Sequence, residues 1–246
     1  MGLISNGTTI FDAGALDSGL AKGAITFMKK LTASSSATLA FVHGSGGVDF
    51  STYKEYMFTF NNIHPATDGE DFQFNMSIDS GSNYNVAKTT SWFYAYHSYA
   101  IDALVAVEYN GSFDLAEGTG DQILTNNIGA DADQSASGSL TLFNPSSTTF
   151  VKHFTANVNT YHGANQTVNS YVAGYANTTS DIDAIIFRMN SGNIDAGDIC
   201  LYYFTKQYHK GKYLQHLCFL RSSWIEQHQS HLLCFRTQQY NYQLKN

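Results

Sequence analysis

Apolar and polar residues alternate with a period of two along much of the chain. Residues 72–79 (FQFNMSID) alternate without interruption, and residues 56–61 (YMFTFN) nearly do. Because successive side chains of a strand point to opposite faces of a sheet, this pattern predicts half-buried strands. Further segments of the same kind are residues 24–31, 38–42, 91–97, 104–109, 139–143, 149–161, 169–175, 184–189 and 198–202.

Turn-forming residues separate these segments. Clusters rich in Gly, Asn, Asp and Ser lie at residues 44–47, 79–83, 110–111, 144–147 and 190–193. About ten short strands at such intervals are typical of two packed antiparallel sheets. The pattern therefore predicts an all-β, jelly-roll-like antiparallel β-sandwich over residues 21–202. Residues 1–20, which are rich in glycine and lack periodicity, are predicted to form an extended N-terminal arm.

The composition changes abruptly near residue 200. Residues 1–200 contain 19 acidic and 7 basic residues, a net charge of −12, whereas residues 201–246 contain 1 acidic and 6 basic residues, a net charge of +5. The last segment also lacks Ala, Val and Asp altogether. We interpret residues 203–246 as an atypical C-terminal extension, either partly helical or disordered, that adds nothing to the sandwich. A translated frameshift or a reading past the native stop is our hypothesis for its origin.

The charge of residues 1–200 bears on the class of partner. Nucleic-acid binding requires clustered Lys and Arg, and no such cluster precedes Lys206. No segment approaches the ~18 consecutive apolar residues of a membrane-spanning helix, and the N-terminus lacks the pattern of a signal peptide. We therefore expect neither nucleic acid nor a membrane span among the partners.

Two acidic stretches are candidates for calcium loops. Asp114, Glu117 and Asp121 form one, and Asp131 and Asp133 form the other. No glycine lies within residues 131–134, and no glutamate closes a twelve-residue calcium loop. We interpret both as solvated acidic loops and predict no cofactor.

The candidate catalytic and zinc-binding residues also do not have the sequence spacing of known motifs. His153 could serve as a base beside Ser146 or Ser147, but no Gly-x-Ser-x-Gly elbow is present. Cys218, Cys234, His228 and His231 in the extension match no common zinc motif. The sequence therefore predicts no catalytic residue and no metal ligand.

The most unusual segment is WFYAYHSY at residues 92–99. It has more rings than one buried strand face can accommodate, so some of them must be exposed or lie at a subunit contact. Three interpretations stay open for Trp92, Tyr94, Tyr96 and Tyr99: a plain core, a subunit interface, or a platform on which sugar rings stack.

Several segments spread over residues 1–202 have distinctive sequences. They are residues 1–14 (MGLISNGTTIFDAG), 53–60 (YKEYMFTF), 62–65 (NIHP), 72–75 (FQFN), 131–138 (DADQSASG), 143–154 (FNPSSTTFVKHF) and 191–197 (SGNIDAG). Together these segments resemble a family of virion proteins from marine tailed phages. Residues 203–246 depart from that family, whose members end shortly after the last strand.

The resemblance implies a non-enzymatic structural component of a phage particle, located on the virion as a tail fibre, spike or capsid decoration protein. Expected partners are other virion proteins and further copies of this chain, with a trimer favoured because spikes and fibres are usually closed rings of identical chains. Contact with a host-surface glycan is a further expectation. Two alternatives stay open: a particle-borne carbohydrate-active enzyme (a depolymerase) and a lectin-like carbohydrate-binding module.

Overall fold

The computed structural model describes residues 24–205 and, before them, the backbone of three short strands. These are β1 (Leu3–Ser5), β2 (Thr8–Asp12) and β3 (Ala15–Leu16), which pair antiparallel in the order β1-β2-β3. The predicted N-terminal arm thus contains a small sheet of its own. The predicted extension lies outside the described residues from residue 206 onward.

Residues 24–205 form strands and connections without any helix. All strand pairs are antiparallel, so the all-β prediction is confirmed. The strands are β4 (Ile25–Thr32), β5 (Leu39–Val42), β6 (Glu55–Pro65), β7 (Glu70–Ser77), β8 (Lys88–Ser98), β9 (Val105–Tyr109), β10 (Gln122–Ile128), β11 (Ala136–Phe143), β12 (Lys152–His162), β13 (Gln166–Ala176), β14 (Ala184–Met189) and β15 (Ile194–Phe204).

Eight of these strands have the order of a jelly roll. One sheet contains β4-β15-β6-β11, and the facing sheet contains β5-β14-β7-β10. Among these eight, successive strands lie in different sheets except β7 and β10, which pair within the small sheet, and this gives the double Greek-key arrangement of that fold. The predicted jelly-roll sandwich is therefore confirmed.

Two insertions enlarge the first sheet. The hairpin β12–β13 is inserted between β11 and β14, and the hairpin β8–β9 is inserted between β7 and β10. They add to the β11 edge in the order β12-β13-β8-β9, so this sheet has eight strands and the facing sheet has four. The single pair Ile128↔His162 joins β10 to β12 at one corner. The large sheet therefore extends well past the small one.

The core between the sheets is dominated by aromatic rings. Phe187 on β14 is fully buried and lies at the centre of this cluster. Its ring centroid lies within 5.3–6.3 Å of those of Phe41, Phe58, Phe60, Phe72 and Phe74. Edge-to-face and offset contacts of this kind stabilise a core beyond the area that they bury. Phe60, Phe72 and Phe74 alternate with polar residues along their strands, which is why the sequence of β6 and β7 has a period of two.

The boundary between the jelly roll and the insertions depends on a close backbone approach. Gly138 on β11 pairs with Val158 on β12. A Cβ atom at Gly138 would lie 2.2 Å from the carbonyl oxygen of Asn157. Only glycine fits this position, as is typical where two backbones approach closely within a sheet.

Some predicted boundaries were wrong. Strand β10 was not predicted, because its sequence QILTNNI does not alternate and its buried positions include Gln122 and Thr125. Strand β15 begins four residues before the predicted 198 and continues through Phe204. Tyr203, which was assigned to the extension, is buried and stacks on Tyr53 at 3.7 Å between ring centroids.

Two buried lysines hold the insertions to the jelly roll. Lys88 begins β8, Lys152 begins β12, and both pair in register with Ala176 on the intervening strand β13. All three side chains are fully buried. Nζ of Lys152 donates to the backbone carbonyls of Ser147 at 2.6 Å and Thr178 at 3.1 Å.

Burial shifts the titration of both amines. It lowers the pKa of Lys152, an effect that the charge of Asp181 partly offsets. It also lowers the pKa of Lys88, to about 8, and here the charge of Asp121 acts in the opposite direction. Within residues 24–205, neither amine has a carboxylate among its hydrogen-bond acceptors. Both depend on neutral oxygens to compensate for lost hydration.

We expect Lys152→Met to lower the free energy of unfolding by about 2–3 kcal/mol, because two buried carbonyls lose their donor. Removing the buried charge recovers part of this free energy, because methionine has no ammonium group to desolvate. Removing one partner of a buried polar contact nevertheless usually lowers the stability. The same substitution at exposed Lys54 is the matched control, with an expected change below about 0.5 kcal/mol. Urea unfolding of both variants measures the difference, and a Lys152→Met chain as stable as the wild type would contradict the anchoring role.

Candidate functional site

The aromatic strand β8 divides its rings between two faces of the large sheet. Trp92, Tyr94 and Tyr96 point inward, toward the side of the small sheet, whereas Phe93 and His97 point outward. Trp92 is fully buried, 4.9 Å from the ring of Phe113 and 5.1 Å from that of Tyr94. It is part of the core, so of the three interpretations the plain core applies to Trp92, and this side chain is not available for a surface contact.

The remaining predicted contact residues have different surroundings. Tyr94 and Tyr96 are half-buried and stack on each other, with their centroids 5.6 Å apart and an interplanar angle of 24°. Tyr99 lies just past the end of β8 and is 82% exposed. The structure therefore brings Tyr94 and Tyr96 together and places Tyr99 apart from them, at the tip of the insertion.

Tyr94 and Tyr96 line a groove of about 230 Å³ on the inner face. The groove exists because the small sheet ends at β10 while the large sheet continues through β13 and β8. Its walls combine the two rings with apolar and amide side chains from four elements. They are formed by Tyr94, Tyr96, Leu104, Asn126, His162, Gln166 and Val168.

The polar groups around this groove differ in their hydrogen-bond partners and in their pKa values. The hydroxyl of Tyr94 donates to Oε2 of Glu108 at 2.9 Å, and burial together with this carboxylate raises the pKa of Tyr94. Burial lowers the pKa of His162, partly offset by Asp68, so its imidazole is neutral at pH 7. Oδ1 of Asn126 is buried and has no hydrogen-bond partner in the part of the chain that the structure describes. An unsatisfied acceptor of this kind favours a ligand or water that donates a hydrogen bond.

The outer face of the insertions is apolar next to its free edge. Phe93 stacks on Tyr171 with their centroids 4.9 Å apart and an interplanar angle of 8°. On the neighbouring edge strand β9, Val105, Val107 and Tyr109 are 52%, 73% and 60% exposed. We call these five residues the edge patch. Tyr171, Phe93 and Tyr109 pair in register across β13, β8 and β9, and Val107 and Val105 follow Tyr109 on the outer face of β9.

Next to the edge patch, the outer face becomes a ladder of polar side chains. Nδ2 of Asn157 donates to Oδ1 of Asn169 at 3.0 Å, and Nδ2 of Asn159 donates to Thr167 at 2.9 Å. Nδ2 of Asn169 in turn donates to the hydroxyl of Tyr171 at 2.8 Å. Cross-strand pairs of this kind hold the side chains in fixed orientations. The outer face is therefore an ordered surface with an apolar part and a polar part.

A second concavity bears on the depolymerase alternative. It has a volume of about 620 Å³ and lies where the 130–135 loop meets the end of β6 and the start of β15. Asp133 and Asp195 line it together with His64, and both carboxylates are exposed to solvent. Burial raises the pKa of a different carboxyl group, Asp71, which does not line this concavity. The arrangement of an acid in an apolar setting beside a second carboxylate is not formed here.

The acidic side chains of the two stretches contact different partners and do not converge on one site. Asp114 accepts a hydrogen bond from the hydroxyl of Tyr109, and Glu117 accepts one from Asn177 at 3.1 Å. Asp121 forms a two-pronged ion pair with Arg188. Asp131 and Asp133 are exposed in their loop. Residues 24–205 contain no group of three or more acidic, His or Cys side chains placed to hold a metal ion.

The serine and histidine candidates also have separate partners. Oγ of Ser147 accepts the backbone N–H groups of Thr149 and Phe150, and Oγ of Ser146 donates to the carbonyl of Ser51. His153 lies on the outer face of β12 against the ring of Tyr175. These serines therefore stabilise turns. The cysteines and histidines considered for zinc lie outside the described residues.

Comparison of the chain with protein-family models, curated proteins and solved structures gives no match. Within residues 24–205 there is also no helix that could span a membrane.

We expect Trp92→Ala to lower the free energy of unfolding by about 3–5 kcal/mol, because the substitution leaves a large cavity in the core. Tyr99→Ala should change it by less than about 0.5 kcal/mol, because that ring is exposed. Thermal or urea unfolding of the two variants distinguishes the two kinds of aromatic residue within one segment. Equal effects would contradict the division of the strand between core and surface.

Proposed function

We propose that this chain is a non-enzymatic structural protein of a phage particle that assembles through the edge patch with further copies of itself and with other virion proteins. The resemblance of residues 1–202 to virion proteins suggests the particle, and the edge patch suggests how the chain is used there. We favour a closed ring of three copies on the virion, as in a tail fibre, spike or decoration protein.

The observation that carries this proposal is the free edge of β9. Natural proteins usually protect an edge strand with Lys, Pro, a bulge or a covering loop. Strand β9 has the sequence VAVEY, and it pairs with β8 on one side and with no other strand among the described residues. Its three outward residues are each more than half exposed. A strand of this kind is suited to pair with, or pack against, another chain.

The chemistry of the edge patch favours a protein partner. It presents two valines and three aromatic rings without a charged side chain, and the adjoining ladder supplies amide and hydroxyl groups. Apolar centres with polar rims are the usual anatomy of a protein interface. Two of the rings are already held by stacking, which lowers the entropy lost on association.

Val107→Lys tests the proposal, because a charge at the most exposed position of the edge opposes both burial and strand addition. We expect the wild type to sediment as an oligomer at micromolar concentration, and the variant to associate at least about ten-fold more weakly, which corresponds to ~1.4 kcal/mol. Thr155→Lys, on the polar part of the same face, is the matched control and should associate like the wild type.

Two results would contradict assembly through this edge. One is a wild-type chain that is strictly monomeric and does not bind purified particles. The other is an oligomer that tolerates Val107→Lys as well as it tolerates Thr155→Lys. In the second case the chain assembles through another surface.

The inner groove supports a second candidate function, the binding of a host-surface glycan. Its stacked Tyr94 and Tyr96 offer ring faces to a pyranose, and Asn126 lines the same groove. Gln166 supplies an amide in the same groove. The aromatic platform expected from the sequence would then consist of Tyr94 and Tyr96, without Trp92.

Screening the wild-type chain against immobilised glycans tests this candidate. Tyr96→Ala should weaken any binding by about ten-fold or more, since one stacked ring contributes on the order of 1–2 kcal/mol. Phe150→Ala removes an exposed ring on another connection and should leave binding unchanged. Equal loss in both variants, or no binding by the wild type, would contradict a glycan site in the groove.

A further inference from the structure

A buried polar cluster lies where the first insertion leaves the jelly roll. Asn75 on β7 and Lys88 at the start of β8 are 1% and 0% exposed. Nζ of Lys88 donates to Oδ1 of Asn75 at 2.6 Å and to the carbonyl of Val86 at 2.8 Å. The proposed function uses neither side chain.

A carboxylate completes this cluster. Oδ1 of Asp121 accepts a hydrogen bond from Nδ2 of Asn75 at 2.9 Å. Nε and an outer nitrogen of Arg188 donate to the two oxygens of Asp121 at 2.6 and 2.9 Å. A fully buried amine and carboxamide therefore meet an oriented carboxylate whose side chain is 10% exposed.

We propose that Lys88 and Asn75 are joined by an intramolecular isopeptide bond, formed by the folded chain itself with Asp121 as the catalytic residue. The bond would link β7 covalently to the first strand of the insertion. It is independent of the proposed function, because it depends on the buried cluster and not on any partner.

The reaction needs no other reactant. The neutral amine of Lys88 attacks Cγ of Asn75, a bond forms between Nζ and Cγ, and the bond between Cγ and Nδ2 breaks. One proton moves from Nζ to Nδ2, which leaves as ammonia. Nothing is oxidised or reduced, and the chain loses one nitrogen and three hydrogens.

The geometry places the reacting atoms together. Because a C=O bond is about 1.2 Å long, Cγ of Asn75 lies within roughly 4 Å of Nζ, near the ~3–3.5 Å of reactive conformers. The pKa of Lys88 near 8 gives a sizeable fraction of neutral amine at neutral to mildly basic pH, where an exposed lysine is almost fully protonated. Burial thus holds Nζ of Lys88 close to Cγ of Asn75 and also favours the neutral, nucleophilic form of the amine.

Two neighbouring groups assist the reaction. The backbone N–H of Met76 donates to Oδ1 of Asn75 at 2.9 Å, so it can stabilise the negative charge that develops on this oxygen during attack. Asp121 contacts the leaving nitrogen and can carry the proton to it. Arg188 orients Asp121 through its two hydrogen bonds to that carboxylate.

Lys152 provides an internal comparison. It is equally buried and lies in the same row of the sheet, but its acceptors are the backbone carbonyls of Ser147 and Thr178. No side-chain carboxamide is among them. The proposal therefore predicts reaction at one buried lysine and not at the other.

Mass spectrometry of the full-length chain after denaturation tests the proposal directly. Trypsin should fail to cut after the modified Lys88, so residues 55–152 are recovered as one peptide lighter by one ammonia than its sequence requires. A further chymotryptic cut after Tyr84 should leave the segments containing Asn75 and Lys88 joined. Recovery of residues 55–88 as an ordinary peptide of unaltered mass would overturn the proposal.

Substitutions test the separate roles of Lys88, Asn75 and Asp121 in forming the bond. Lys88→Arg and Asn75→Ala should abolish the joined peptide, whereas Lys152→Arg, the matched control, should retain it. Asp121→Asn should lower the ratio of joined to free peptide by about ten-fold or more in freshly purified, folded protein. A full yield in Asp121→Asn would overturn the catalytic role of that residue. The wild-type measurement stands even if a variant fails to fold.

Discussion

The row formed by Lys88, Ala176 and Lys152 is the constraint on which the rest of the structure depends. Burying two amines in a sheet is costly unless they find hydrogen-bond acceptors. Lys152 reaches carbonyls on the connections before β12 and after β13, and Lys88 reaches Asn75 on β7 and the carbonyl of Val86 on the connection before β8. The row fixes the register of β12, β13 and β8 where they begin to extend the jelly roll. A shift of one residue would turn both amines to the other face and leave buried carbonyls unpaired.

The groove and the edge patch both exist because the insertions lengthen the large sheet. Because the large sheet extends past the small one, the inner face of β8 is covered only in part, which produces the groove around Tyr94 and Tyr96. For the same reason the sheet ends in β9, a short strand with a free edge. The jelly roll supplies a rigid base, and the insertions supply the surfaces that can meet another molecule, as binding sites commonly do on stable scaffolds.

Much of the fold could be predicted from the sequence, because most strands bury one face and alternate accordingly. Strand β10 could not be, since Gln122 and Thr125 are buried polar residues that interrupt the period. The alternation of residues 92–97 already separates Trp92 and Phe93 onto opposite faces, but it does not reveal which face is covered. That depends on Phe113, which lies in a distant loop. The cluster of Asn75, Lys88, Asp121 and Arg188 left no local signal, because its members come from separate elements.

Hydrogen exchange at two protein concentrations tests the central claim most directly, namely that the insertions are integral to the sheet and end in a free, assembling edge. Peptides from β8, β12 and β13 should exchange as slowly as those of β6 and β14 at both concentrations. Peptides covering residues 105–109 should become at least about ten-fold better protected at the higher concentration, as the edge is covered by another copy. Rapid exchange of β12 and β13, or exchange of residues 105–109 that does not depend on concentration, would contradict the account.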